Sequence, residues 1–73
     1  MKKYQHFKNK KFYELVGTAR HSETLEELVV YKALYETDKF EFGQLWARPK
    51  KMFFEKVLHN GETVARFQEV IQE

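Results

Sequence analysis

Between Phe12 and Ala19 the chain alternates: Tyr13, Leu15, Gly17 and Ala19 fall on one side of an extended backbone, and Phe12, Glu14, Val16 and Thr18 on the other. A period of two marks a β-strand, because successive side chains point to opposite faces. Gly17 predicts a bulge or a close backbone approach, a device for bending a strand around a small core. A second run, residues 28–35, is apolar on both faces apart from Lys32. Burying an unpaired ammonium is costly, so Val29, Tyr31 and Ala33 are assigned inward and Lys32 outward.

The rest of the pattern is shorter. Residues 4–7 read as an extended segment docked on the body, followed by a turn at Asn9-Lys10-Lys11. The polar stretch 21–27 reads as a connection in which Ser22 or Thr24 caps a turn. Residues 36–39 form a charged loop that carries Phe40 and Phe42 and closes at Gly43. Residues 44–48 make a short strand, stopped by Pro49, which lacks the ladder N–H and suits the start of a helical turn over 50–53. Residues 54–58 and 63–67 flank His59-Asn60-Gly61-Glu62, and Asn-Gly is the strongest short signal for a two-residue hairpin turn. The predicted fold is all-β: a small SH3-like barrel of about five short strands with one helical turn after Pro49. The domain division expected is one domain over 1–73, with a basic N-terminal arm at 1–11 and a tail at 68–73 that extends the last strand or frays.

Composition sharpens this. Seventy-three residues stand near the lower limit for a core without disulfides or a metal. Eleven Phe and Tyr and one Trp compensate, since each ring can bury roughly 150–250 Å². Cysteine is absent, which removes disulfides, thiolate nucleophiles and thiolate zinc sites and fits a cytoplasmic location. No run approaches a membrane span and no signal-peptide pattern follows Lys2 and Lys3, so no membrane partner is expected. The net charge of +2 hides an asymmetry. Residues 1–11 hold five lysines and no acid, whereas the remainder carries eight basic and eleven acidic residues.

Candidate chemistry concentrates in residues 19–24, Ala-Arg-His-Ser-Glu-Thr, a block denser in polar groups than a hairpin connection requires. His21, Ser22 and Glu23 supply a base, a hydroxyl and a carboxylate. Adjacent residues on an extended chain point apart, however, whereas a catalytic triad converges in space. Turn chemistry explains Ser22 and Thr24 as acceptors for backbone amides, with Arg20 and Glu23 as a solvated pair. The reading between these is a polar binding site made of Arg20, His21, Ser22, Glu23 and Thr24 beside Arg48. Trp46, Tyr31 and Tyr35 could add an aromatic surface edged by Arg48, although in so short a chain Trp46 and Tyr31 are first assigned to the core. Phe40 and Phe42, in a charged loop, suit exposed apolar contact and, if both face solvent, self-association. His6, His21 and His59 lack zinc-motif spacing, so neither a metal nor a cofactor is expected, and His59 beside its turn is assigned to solvent. Lys2, Lys3, Lys8, Lys10 and Lys11, with Lys50 and Lys51, could meet phosphates while Tyr4 and Phe7 stack on bases.

Several blocks together carry a family resemblance. They are Tyr4-x-His6-Phe7-Lys8, Tyr13-Glu14-x-x-Gly17-x-Ala19-Arg20-His21-Ser22-Glu23-Thr24, residues 27–35, Leu45-Trp46-x-Arg48-Pro49-x-x-Met52-Phe53, and Gly61-x-x-Val64-x-Arg66-Phe67. From Tyr4 to Phe67 the chain resembles the bacterial domain-of-unknown-function family 1653. That resemblance implies an SH3-like barrel and no established activity, substrate or catalytic residue. The chain departs from the pattern between Tyr35 and Leu45, where it carries extra residues including Phe40 and Phe42. Ala33-Leu34-Tyr35 followed by acids also resembles the start of a signalling SH3 domain. There the Trp of the proline-rich groove lies far downstream and the motif opens the fold, whereas here Trp46 follows after eleven residues and a hairpin precedes the motif.

The leading expectation is a non-catalytic module that binds a protein or small molecule through residues 20–24 and Arg48. The alternative is nucleic-acid association through the lysine-rich arm. A second alternative is an enzyme with a His21-centred site.

Overall fold

The computed structural model describes residues 2–71. In chain order these form β1 (Lys3–His6), β2 (Phe12–Arg20), β3 (Glu27–Ala33), β4 (Leu45–Pro49), α1 (Lys50–Phe53), β5 (Lys56–His59), β6 (Glu62–Ala65) and β7 (Phe67–Val70). Five strands make one antiparallel sheet in the order β4-β3-β2-β1-β7, and β5 pairs with β6 as a separate hairpin. The chain is thus mostly β with a short helix after Pro49, as its pattern predicts. The strands number seven rather than about five, and the sheet is open, with β4 and β7 at its edges. No helix among the described residues is long and apolar enough to cross a membrane.

Two departures from the alternation have local causes. The ladder between β2 and β3 slips between Leu15 and Gly17, so the bulge at Gly17 forms and the faces exchange beyond it. Tyr13 and Leu15 stay opposite Ala33 and Tyr31, but Thr18 takes the place opposite Val29 that strict alternation gave to Gly17 or Ala19. Residues 63–67 divide at Arg66, whose N–H donates to the Glu55 carbonyl (3.0 Å) and whose carbonyl accepts the Phe7 N–H (3.0 Å). Those two bonds turn the chain from the hairpin into the main sheet. The N-terminal segment docks as an extended strand, as read for residues 4–7: β1 lies between β2 and β7, with Tyr4 opposite both Tyr13 and Glu69. Of the expected tail, residues 68–70 belong to β7, and residues 72 and 73 lie outside the described residues, as does Met1.

The hairpin turn is as predicted. Asn60 and Gly61 both have positive φ, 53° and 80°, and His59 pairs with Glu62 across them, the geometry of a type I′ turn. Lys32 faces outward opposite Glu14, and their side chains meet at 3.1 Å.

The core consists of Tyr4, Tyr13, Val29, Tyr31, Ala33, Phe53 and Phe67. Its centre is a stacked pair, Phe53 and Phe67, with ring centroids 4.3 Å apart and planes 8° from parallel. Tyr31 tilts against both at 5.3 Å, and Tyr4 meets Phe53 edge-on at 5.2 Å. Aromatic rings give this short chain more buried area per ordered residue than aliphatic side chains would. α1 matters chiefly because it delivers Phe53, which is fully buried, into that stack.

Candidate functional site

The β2–β3 connection turns its polar groups on itself. His21 N–H donates to the Glu26 carbonyl (2.8 Å) and Leu25 N–H to the His21 carbonyl (2.9 Å). The imidazole Nδ1 of His21 accepts the amides of Glu23 (3.1 Å) and Thr24 (3.3 Å), so that nitrogen carries no proton here. Thr24 Oγ1 accepts the Glu26 amide (3.2 Å), and the Arg20 guanidinium donates to the Leu25 carbonyl (3.0 Å). Thr24 therefore caps as expected, and His21 does more of the capping than any hydroxyl. The solvated pair between Arg20 and Glu23 does not form, because Arg20 reaches a carbonyl instead. Residues 21–26 are all exposed. Leu25 holds a left-handed φ of 63° with its side chain largely in solvent.

A different set of side chains converges beside β4. Tyr31 lies opposite Trp46, Val29 opposite Arg48, and Tyr13 opposite Ala33, so these side chains share one face of the sheet. Tyr35 follows β3, and the loop after it is closed at its base by Gly43 N–H to the Ala33 carbonyl (2.9 Å) and Ala33 N–H to the Gln44 carbonyl (2.9 Å). Thr37 shapes the loop tip: its Oγ1 accepts the amides of Lys39 (3.1 Å) and Phe40 (3.3 Å), and its N–H donates to the Phe40 carbonyl (3.0 Å). Phe40 thereby folds back, edge-on to Tyr35 at 5.7 Å and to Trp46 at 5.3 Å. Tyr13, Tyr31, Tyr35, Phe40, Trp46 and Arg48 together line a hollow of about 220 Å³.

The polar groups of this hollow are held but not used up. The Tyr13 and Tyr35 hydroxyls hydrogen-bond at 2.5 Å, and Arg48 Nε donates to the Tyr31 hydroxyl at 3.4 Å. Arg48 also lies over the Phe67 ring, 5.6 Å from its centroid, and makes no ion pair among the described residues. Lys11 adds positive charge, its ammonium 5.2 Å from the Tyr35 centroid. The Tyr35 hydroxyl is pushed above the ordinary phenol value, first by burial and then by its bond to Tyr13, so it stays protonated at neutral pH. No carboxylate, imidazole or thiol lines the hollow. Its wall supplies rings, hydroxyl dipoles and one guanidinium, a set that can hold an anionic or planar group and lacks a general base for neutral pH.

The structure therefore brings together Tyr35, Trp46 and Arg48 from the expected site and places Arg20 elsewhere, at the end of β2, with His21, Ser22, Glu23 and Thr24 on the turn that follows. Trp46 is 41% exposed rather than core, because it sits on an edge strand, whereas Tyr31 is buried as assigned. Phe42 is exposed but Phe40 is half-buried. His59 is not simply exposed: it is half-buried and edge-on to Phe7 at 5.2 Å. The lysines occupy three places. Lys2 precedes β1 and Lys3 begins it, Lys8, Lys10 and Lys11 follow its other end, and Lys50 and Lys51 are on α1. Tyr13 and Phe40 are the lining residues that sequence reasoning did not assign to the site. Ala33 opposite Tyr13 was one available signal, since a small residue there leaves room for the ring, and Thr37 three residues before Phe40 was another.

Two other hollows compete less well. The larger, about 400 Å³, lies between Glu27 and Lys50 and Lys51 of α1 with Phe54 just after it, but Lys50 and Glu27 already pair across it at 3.5 Å. The other, about 230 Å³, includes His6, Phe7 and His59. There Phe7 stacks on His6 at 5.0 Å, and His6 Nδ1 accepts the Lys8 amide at 3.1 Å. Among the described residues no three His, Asp or Glu side chains gather as metal ligands.

Comparison with curated proteins and with solved structures finds no match. A family model does match, over residues 2–69 and so nearly the whole chain. By that match, which includes every residue of the hollow and of the β2–β3 turn, the chain belongs to the family described as Protein of unknown function (DUF1653).

Proposed function

We propose that this protein is a non-catalytic binding module, an SH3-like unit left open between β4 and β7, that uses the aromatic hollow beside β4. Its ligand is a small molecule or peptide side chain that joins a flat apolar body to a negative group. The observation carrying this reading is the convergence of Tyr35, Trp46 and Arg48 with Tyr13, Tyr31 and Phe40 around one concavity. Arg48 is anchored by its Nε to Tyr31 while forming no ion pair among the described residues, which leaves its charge available for a ligand anion. The rings supply stacking area, and the protonated phenols supply donors. Residues 20–24, first expected as the contact surface, are given the lesser part in this reading because Arg20, His21 and Thr24 direct side-chain atoms to the backbone of the β2–β3 connection.

Trp46 is the sole tryptophan, so its fluorescence reports occupancy directly. Phenyl phosphate and benzoate titrated into the protein should change Trp46 emission saturably, and neutral benzyl alcohol should bind at least about tenfold more weakly. Arg48→Met should remove that preference for the anions. Equal affinity for charged and neutral probes, or unchanged binding in Arg48→Met, would refute the reading.

A further inference from the structure

β4 is an edge strand whose protecting residues, Arg48 and Pro49, stand only at its C-terminal end. In an antiparallel ladder alternate residues turn their N–H and C=O groups to opposite sides. Ala33 bonds across to Gln44, and Leu34 N–H bonds the other way, to the Phe12 carbonyl. By that alternation Trp46 and Arg48 pair toward β3, and Leu45 and Ala47 turn their peptide groups outward. Pro49, lacking an N–H, falls at an outward position where none is needed. The outward Leu45 carbonyl is met only by its neighbour, the Gln44 side-chain amide, at 3.1 Å.

Edge strands are usually blunted by lysine, proline or inward charge. The β5 strand of the hairpin carries Lys56, and β7 carries Glu69. Residues 44–47 carry no charge, and Leu45 and Trp46 are 55% and 41% exposed. The charges flanking the strand are polarised. Glu36, Asp38 and Glu41 lie on the loop before it, and Arg48, Lys50 and Lys51 close it or follow it. Among the described residues only Lys50 of these six forms an ion pair, with Glu27.

A strand acidic before and basic after complements itself when turned antiparallel. We infer that β4 pairs with β4 of a second copy of this chain about a two-fold axis at Trp46. Leu45 of each copy then exchanges backbone hydrogen bonds with Ala47 of the other, and the sheet continues across the dimer. Each copy's acidic loop comes to lie beside the other's Arg48, Lys50 and Lys51, the two Trp46 rings become neighbours, and Leu45 is covered. A parallel arrangement would set like charges together. The inference rests on the edge and its charges and stands whether or not the hollow binds a ligand.

The test is molar mass by light scattering over a concentration series, with amide hydrogen exchange read at Leu45 and Ala47. The wild-type chain should approach twice its 8.9 kDa mass as concentration rises, and both amides should gain protection with it. Ala47→Pro removes an outward N–H and should weaken dimerisation by about a hundredfold or more, with strand β-structure unchanged by circular dichroism. Leu45→Lys leaves every backbone group in place and should weaken it comparably, which covers the case in which the proline variant does not fold. A monomer at every concentration would overturn the inference. So would a dimer that persists in Leu45→Lys with Leu45 and Ala47 amides exchanging freely.

Discussion

The β2–β3 turn and the hollow beside β4 are both rich in groups capable of chemistry, and they dispose of them in opposite ways. In the turn, His21, Thr24 and Arg20 spend their polar atoms on neighbouring amides and carbonyls within a few residues of chain. In the hollow, Tyr35 comes from just after β3 and Trp46 and Arg48 from β4; Tyr13, Phe40 and Tyr31 hold them in turn and leave a guanidinium facing a concavity. The turn is dense in polar residue types, three of which satisfy its own backbone, while its residues 21–26 stay exposed. The hollow is sparse in such types. What separates them is shape and charge: the hollow is concave, and Arg48 faces it with no ion pair among the described residues.

The largest effect that separates the two regions comes from the core beneath the hollow. Phe53→Ala empties one half of the Phe53–Phe67 stack and should cost about 3–5 kcal/mol, a large part of the stability of so small a domain. Urea unfolding measures it. Nuclear magnetic resonance of whatever native fraction remains should show the hollow's signals broadened before those of the turn, whose bonds are local.

A smaller effect comes from the turn itself. His21→Ala deletes the acceptor for the Glu23 and Thr24 amides and should destabilise by about 1 kcal/mol, because those amides can reach water. Phenyl phosphate affinity should not change. A loss of binding in this variant with stability preserved would return the contact surface to residues 20–24.

These outcomes bear on how much the sequence discloses. Period-two alternation, Pro49 and Asn60-Gly61 located the strands, the helical turn and the hairpin, because each is a local backbone rule. That residues 4–7 extend and dock was legible, but the place of β1 inside the sheet, between β2 and β7, was not. Lysines at Lys2, Lys3 and Lys8 gave the segment a solvated look, while the pairing of Tyr4 with Tyr13 and Glu69 is a long-range fact. The same divide runs through the site. Tyr35, Trp46 and Arg48 were named from type and spacing, but the role of Phe40 depends on a loop fold set by Thr37. That the His21 imidazole accepts two backbone amides was not legible, because turn chemistry had been assigned to the hydroxyls of Ser22 and Thr24.

The smallest effect uses His6 as a probe of Arg48. Burial first, then Arg48, Arg66 and Lys8, hold His6 below its ordinary 6.5. A depressed histidine is protonated more readily in the unfolded chain, so its stabilising contribution is complete above about pH 6.5 and is lost as pH falls through the folded value. Stability should therefore decline modestly on going from about pH 7.5 to about pH 5.5, and His6→Gln should flatten that decline. In a ring-proton titration, Arg48→Met should move His6 upward toward its ordinary value, and Arg20→Met should leave it unmoved.

The central claim, that the hollow and not the turn is the contact surface, is tested most directly by mapping amide and indole shifts while phenyl phosphate is titrated into the labelled protein. The account predicts saturable shifts at Tyr35, Phe40, the Trp46 indole and Arg48, with the amides of Arg20, His21, Ser22, Glu23 and Thr24 unmoved. Saturable shifts confined to those five turn residues, with the hollow silent, would contradict it.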